Sequence, residues 1–139
     1  MAIFLNNKVG FKLNTVDLSD HVTAFTLNRQ ADQLEVTAMG DTAHKFVTGL
    51  SADTITVSFL NDTAAASVLA TLQAAYGTTV AFKAIQDKVP AVSATNVLYT
   101  GTVLVDNITD IAGAVADEAM IDITFTCNSV TALATSGTF

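Results

Sequence analysis

The stretch Asp53-Thr-Ile-Thr-Val-Ser-Phe-Leu60 decides the fold, because it is the clearest strand in the chain. Ile55, Val57 and Phe59 alternate with threonine and serine, which is the period-2 pattern of a strand with one buried face. Thr79–Ile85 alternates in the same way after a helical segment. The region from Asp53 onward therefore predicts a strand, a helix and a second strand, with the helix lying across a sheet.

The helix between these two strands is predicted over about residues 62–76, where strong helix formers predominate. Asn61 and Asp62 offer side-chain oxygens to its first free amides, and Gly77 is a natural C-terminal stop. One stripe of the helix is apolar, so we expect this stripe to pack on the sheet. The residues of the stripe are Val68, Leu69, Leu72 and Tyr76.

Alternating apolar residues elsewhere predict further strands, which makes the class mainly β. These strands fall at residues 9–13, 22–27, 99–105 and 119–127, with a turn or short strand at 16–20. We expect one domain, 1–139, built as an antiparallel β-sandwich or barrel with one flanking α-helix. The small residues of 129–139 have little to pack, and they predict a loosely ordered C-terminal tail.

The charge of the chain limits the partners that it can bind. Thirteen acidic residues against six basic ones give a net charge of -7, and the basic residues are scattered. Binding to nucleic acid needs a basic footprint that neutralises phosphates, so specific DNA binding is not expected. No apolar run approaches the roughly 20 residues of a membrane span. Only 14% of the residues are charged, which predicts a surface covered by copies of the chain or by partners.

The segment 28–51 does not follow the pattern of the other strands. Its apolar residues alternate only briefly around Leu34, and such a long connection within a compact domain is uncommon and usually functional or disordered. Its apolar content argues against disorder. It is either an ordinary hairpin packed on its own domain or an arm that reaches a neighbouring molecule, and we favour the arm. The residues expected to make contacts between subunits are Leu34, Val36, Met39, Phe46, Val47 and Leu50.

No catalytic, metal or cofactor site is predicted, and we do not expect an enzyme. His21 and His44 lack Cys or Glu partners at metal-ligand spacing. Cys127 stands alone on the apolar side of the last strand, so a buried, inert thiol is the expected role. The chain contains neither a glycine-rich phosphate loop nor a nucleophile elbow.

Five runs, in matching order and spacing over nearly the whole chain, carry a resemblance to a known family. They are Val16-Asp-Leu-Ser-Asp-His-Val22, Leu27-Asn-Arg-Gln-Ala-Asp32, Glu35-Val-Thr-Ala-Met-Gly-Asp41, Ala74-Ala-Tyr-Gly-Thr-Thr79 and Ala91-Val-Ser-Ala-Thr-Asn96. The sequence resembles the major tail tube protein of bacteriophages with long, non-contractile tails, particularly those of actinobacteria.

The resemblance implies a structural virion protein located in the tail and assembled in the host cytoplasm. Such subunits form hexameric rings that stack into a hollow tube around the tape-measure protein, and the tube later conducts DNA during genome ejection. In that family a long loop between early strands bridges subunits and rings, and 28–51 corresponds to it. The implied partners are other copies of the chain and other tail proteins, with no cofactor and no membrane.

Other functions remain open from the sequence. A tail terminator or a head decoration protein is the nearest alternative among virion proteins. A carbohydrate-binding or adhesin β-sandwich is a further alternative, but it would need exposed aromatic residues, and the chain has no Trp and two Tyr.

Asp122 is the candidate residue for the channel or for a wet seam between subunits. It lies in the middle of the last predicted strand, on the face opposite the apolar residues Ile121 and Ile123. A carboxylate at that position requires contact with water, which a channel or a seam would supply.

Overall fold

The computed structural model describes residues 7–65 and 67–139, and these contain ten strands, one α-helix and one short 3-10 helix. The strands are β1 (Gly10–Leu13), β2 (Val16–Asp17), β3 (Val22–Asn28), β4 (Ala31–Glu35), β5 (Phe46–Ser51), β6 (Thr54–Leu60), β7 (Thr79–Ile85), β8 (Leu98–Leu104), β9 (Met120–Cys127) and β10 (Ala132–Ala134). The helix α1 spans Val68–Ala75, and the 3-10 helix spans Ser19–His21.

Eight of the strands form one sheet, in the order β2-β1-β7-β8-β9-β6-β3, with β10 also paired to β8. β4 and β5 form a separate two-stranded sheet. Every strand pair among the described residues is antiparallel. Within the large sheet, β3 is the edge strand at one end and β2 the edge strand at the other.

The large sheet folds over on itself to make a sandwich. The ring of Phe11 in β1 lies 5.1 Å from the ring of Phe25 in β3 and 6.2 Å from the ring of Phe59 in β6. Because these strands are far apart in the order of the sheet, such contacts require its two halves to face each other. The structure confirms the predicted mainly antiparallel β class with one helix, in sandwich form without closing into a barrel.

The core between the two halves is built from the alternating residues of the strands. The inward residues of β6 and β9 are at most 2% exposed, and they pack with residues of β1, β7, β8 and α1. The inward set is Ile55, Val57, Phe59, Ile121, Ile123 and Phe125. Hydroxyl-bearing side chains are therefore left on the opposite face of the same strands.

The helix is shorter than the predicted 62–76, because it begins at Val68. The carboxylate of Asp62 accepts a hydrogen bond from the amide of Ala64 at 2.9 Å, which closes a local Asx turn instead of capping a helix there. Ser67 then adopts an extended conformation, with φ -98° and ψ -164°, before the first helical residue. The predicted start was wrong because the side chain of Asp62 bonds within this turn.

The buried face of α1 also differs from the prediction at one residue. Val68, Leu69 and Leu72 are buried as the stripe predicts, and Ala75 completes the face. Tyr76 is 59% exposed, because the helix ends at Ala75 and Tyr76 turns to φ -55° and ψ 129°. The prediction that Tyr76 packs on the sheet was therefore wrong.

The structure holds the C-terminal segment 129–139 at several points, in contrast to the loose tail predicted. β10 pairs with β8, and the amide of Thr131 donates to the carboxylate of Asp53 at 3.1 Å. The ring of Phe139 lies against Gly10, where an added Cβ would come within 2.8 Å of it. These strand, carboxylate and ring contacts hold the segment although most of its residues are small.

Candidate assembly surfaces

The segment that the sequence singles out as an arm, 28–51, contains a β-hairpin. β4 pairs with β5 in the register Gln33↔Thr48, Leu34↔Val47 and Glu35↔Phe46. The amide of Val36 extends the pairing by donating to the carbonyl of Lys45 at 2.8 Å. At about 3.3 Å per residue, the eight residues from 31 to 38 give the hairpin a length of roughly 25 Å.

Both faces of this hairpin carry apolar side chains that its own domain does not cover. All residues of β4 are exposed, and Gly49 is the one residue of β5 that is even half-buried. Leu50 is 81% exposed, and Met39 at the tip is fully exposed. The six residues predicted to make subunit contacts are all among the exposed large hydrophobic residues: Leu34, Val36, Met39, Phe46, Val47 and Leu50. An apolar surface of this kind is typical of a site that binds another protein surface.

The far half of the hairpin is shaped by local ion pairs and a tight turn. Lys45 Nζ lies 2.7 Å from the carboxylate of Asp41, and His44 Nδ1 lies 2.9 Å from the carboxylate of Glu35. The carboxylate of Asp41 also accepts the amide of Ala38 at 2.8 Å. The hydrogen bonds from Lys45 and Ala38 hold the pKa of Asp41 below its ordinary value. Lys45 thereby offsets the charge of Asp41, and large apolar residues remain exposed beside these contacts.

At the base of the arm, the buried carboxylate of Asp53 joins three parts of the chain. It accepts the amide of Gln30, just before β4, and the amide of Thr131, just before β10, each at 3.1 Å. Its own backbone carbonyl accepts the amide of Cys127 at 3.0 Å. Only 4% of Asp53 is exposed. The residue therefore ties the arm to the centre of the sheet and to the C-terminal segment.

The pKa of Asp53 is set by opposing effects. Burial alone would raise it, but hydrogen bonds from Thr131 and Gln30, together with the nearby charge of Arg29, lower it below its ordinary value. A carboxyl group with a lowered pKa stabilises the fold above its unfolded pKa of about 3.9, and this contribution is lost as the pH falls through the folded value. The Asp53 cluster should therefore weaken in acid.

Asp53→Asn is expected to destabilise the protein at neutral pH by about 1 to 3 kcal/mol, because an amide side chain leaves one buried backbone donor without an acceptor. The variant should also lose less stability than the original chain as the pH falls below about 4, since the substituted amide does not titrate. Urea unfolding from pH 7 to pH 3 measures both effects. Asp117→Asn, at an exposed carboxylate, is the matched control. Parallel pH profiles for Asp53→Asn and the original chain would contradict the assigned role.

The outer face of β3, β6 and β9 is a polar surface with a single charged residue. Across it, Thr26, Thr56 and Thr124 stand side by side, and the Thr56 and Thr124 hydroxyls are 3.5 Å apart. In the neighbouring row, the hydroxyl of Ser58 donates to the carboxylate of Asp122, which is exposed. We call this surface the hydroxyl face. The structure therefore places Asp122 on an uncovered polar sheet face, toward the end of the strands away from the arm.

The remaining ionisable groups form structural contacts. His21 Nε2 lies 2.9 Å from the carboxylate of Asp62, and this contact joins the 3-10 helix to the segment before α1. Burial and the nearby Asp53 carboxylate raise the pKa of the Cys127 thiol, so little of the thiolate forms at neutral pH. Within residues 7–65 and 67–139, no group of three or more His, Cys, Asp or Glu side chains is arranged to hold a metal ion.

Sequence reasoning missed two features of these surfaces. The Asp53 cluster includes a hydrogen bond to Thr131, 78 positions further along the chain, so no local pattern reveals it. The other feature is a cleft beside β3, which depends on how the two halves of the sandwich meet. The available signal was an otherwise unexplained charged residue, Asp53, directly before the first residue of β6. In the part of the chain that is described, no helix is long and apolar enough to cross a membrane.

Comparison with known proteins finds solved structures that share this fold. No known protein family matches the chain, and no curated protein matches it by sequence. The fold is similar to that of a chain in the virion of a native gene transfer agent particle, with a TM-score of 0.72, 14% identity, and coverage of 95% of this chain and 99% of that chain.

A second similar chain comes from the tail of an empty gene transfer agent particle, determined by helical refinement with C6 symmetry. Its TM-score is 0.59 at 15% identity, and the match covers 84% of this chain and 83% of that one. The protein therefore shares its fold with chains of a virion and of a sixfold-symmetric tail.

Proposed function

We propose that this protein is the tube subunit of a phage-type tail, which assembles into stacked hexameric rings through which the genome is ejected. The observation that carries the proposal is the arm. It presents six large apolar residues to solvent in a chain whose fold is similar to that of a chain from a tail with C6 symmetry. An isolated subunit gains nothing from such an exposed hairpin, whereas a subunit in a lattice can bury it against the next copy.

Repeated contacts between unlike surfaces explain how one chain can build a tube. A contact between two different patches of identical subunits closes into a ring when the rotation allows it, and otherwise it continues without limit. The arm projects from the sandwich, so its partner surface lies elsewhere on another copy. Such a heterologous contact suits both neighbours in a ring and successive rings.

The hydroxyl face fits the wall of a channel that passes DNA. Asp122 is the one charged residue in β3, β6 and β9, and no Lys or Arg is present on these strands. A wall without cations forms no salt-dependent attraction to phosphates, so DNA can move along it without being held. The tape-measure protein and the other tail proteins are the further partners in this proposal, and the subunit needs no cofactor.

Electron microscopy of the purified protein tests this function. We expect hollow tubes of variable length, with sixfold symmetry in cross-section and with the hydroxyl face toward the channel in a reconstructed map. Single closed rings that do not stack would indicate a terminator instead. Monomers that remain dispersed at concentrations at which tail proteins polymerise would contradict the proposal.

A further inference from the structure

A cleft of about 780 Å³ runs beside the edge strand β3. Its wall combines apolar side chains with polar groups, and Arg29 is the only charged one among the described residues that line it. Phe25 and Leu27 contribute from β3, Val9 from the segment before β1, and Tyr99 from β8. The size falls in the range of pockets that bind ligands or peptide segments.

Among residues 7–65 and 67–139, no backbone partner is found for some groups of β3 that border this cleft. The amide of Cys127 donates to the carbonyl of Asp53, so the backbone groups of Asp53, directly before β6, face β9. Because the backbone groups of successive residues point to alternate sides of a strand, the odd-numbered residues of β6 bond to β9 and the even-numbered ones bond to β3. Phe25 and Leu27 stand opposite odd-numbered residues. Their amide and carbonyl groups therefore point away from β6, toward the cleft.

β3 also lacks the features that usually protect an edge strand. It has seven residues, Val-Thr-Ala-Phe-Thr-Leu-Asn, without a charged side chain or a proline. One register shift interrupts it near its start, between Val22 and Ala24, and the rest is regular. Long uncharged edges of this kind pair readily with a strand from another chain.

The arm has the chemistry to fill this cleft. Leu34 and Val47 are paired across the hairpin and share one of its faces. Asp32 lies on the same face beside Leu34, because a Cβ added at Gly49 would be 3.3 Å from the side chain of Asp32 and 3.3 Å from that of Leu34. Asp32 forms none of the ion pairs found among the described residues. This face of the hairpin therefore offers apolar side chains and the carboxylate of Asp32. The cleft offers apolar side chains, backbone hydrogen-bonding groups and the basic side chain of Arg29, so the two surfaces are complementary.

We propose that the β3 cleft of one copy is the docking site for the arm of a second copy. An arm strand adds to the free edge of β3, its Leu34 and Val47 face covers the apolar side chains of the cleft, and Asp32 approaches Arg29 of the receiving copy. This inference rests on the proposed tube function and names the partner surface of the arm. Arm and cleft are different surfaces, so the contact is heterologous and can repeat.

Charge reversal in separate copies tests the docking. Arg29→Glu alone places two acids at each contact, and Asp32→Arg alone places two bases there. Each variant should raise the critical concentration for tube formation by at least about fivefold at low salt. An equimolar mixture restores opposite charges at every contact between unlike copies, so it should polymerise better than either variant alone. This rescue occurs between molecules, and an altered contact within one chain does not produce it.

The matched control is Lys83→Glu, which reverses the charge of an exposed residue of β7 that does not line the cleft. It should neither block assembly nor be needed for rescue. Thermal melting of each variant confirms that it is folded. If folded Arg29→Glu and Asp32→Arg proteins fail to rescue each other while the original chain forms tubes, the docking site is wrong and the tube function stands.

Cross-linking gives a second, independent measurement if either charge variant folds poorly. In a Cys127→Ser background, Thr26→Cys marks the rim of the cleft and Val47→Cys marks the arm. A mixture of the two proteins should give mixed dimers with a short thiol cross-linker, and Lys83→Cys should not replace Thr26→Cys. Tubes that form without mixed cross-links would overturn the proposal.

Discussion

A chain in which Leu34–Leu50 is replaced by a short glycine-serine linker is expected to fold normally and to form no tubes. The fold should survive because the arm is held to its domain mainly at its base, where Gln30 and Asp53 remain in the shortened chain. Assembly should be lost because the replaced segment contains all six exposed apolar residues of the arm. Their burial is the main favourable term available to a surface with so few charges.

Circular dichroism and sedimentation measure the two halves of this prediction. The shortened chain should melt cooperatively within a few degrees of the original chain and sediment as a monomer. Leu50→Ala is the graded control, because it removes one exposed arm residue and should reduce polymerisation without preventing it. Long tubes from the shortened chain would show that the arm is not an assembly element.

Leu72→Ala is expected to lower the free energy of unfolding by about 2 to 5 kcal/mol, because Leu72 is fully buried where α1 packs on the core. For a chain of this size, such a loss corresponds to a fall in melting temperature of roughly 6 to 20 °C. Urea unfolding of the monomer measures the free energy directly.

Leu50→Ala again serves as the matched control, since it makes the same chemical change at a leucine that is 81% exposed. It should alter the stability of the monomer by less than about 0.5 kcal/mol. Equal, small effects of Leu50→Ala and Leu72→Ala would show that α1 does not pack on the sandwich.

The sandwich was predictable because the sequences of its most regular strands show by themselves which face of each strand is buried. In β6 and β9 every second residue is apolar, so burial on one face follows from local spacing alone. The helix was predictable as an element but not in its start, because the competing turn at Asp62 uses the same residue that the sequence offers as a cap. Tyr76 was misplaced for the related reason that the helix ends one residue earlier than its apolar stripe.

It was predictable that segment 28–51 leaves its apolar residues uncovered by its own domain, whereas the surface proposed to receive it was not predictable. The break in pattern after β3 is visible in the sequence, and so are the apolar residues that an isolated hairpin leaves exposed. The cleft brings together residues from distant parts of the chain, such as Val9, Phe25 and Tyr99. Their proximity depends on the path of the whole sheet, which local propensity does not encode.

The buried Asp53 contact has a mechanical consequence for an assembly of many identical units. The hairpin begins only a short link after β3 ends, and Asp53 holds this link to the sheet through Gln30. If the hairpin of roughly 25 Å rotates about this base by ~5°, its tip moves by about 2 Å. In the proposed tube, every subunit would repeat the same small angle, so the angle would accumulate from ring to ring. The orientation of one carboxylate would then help to set the helical pitch and handedness of the whole tube.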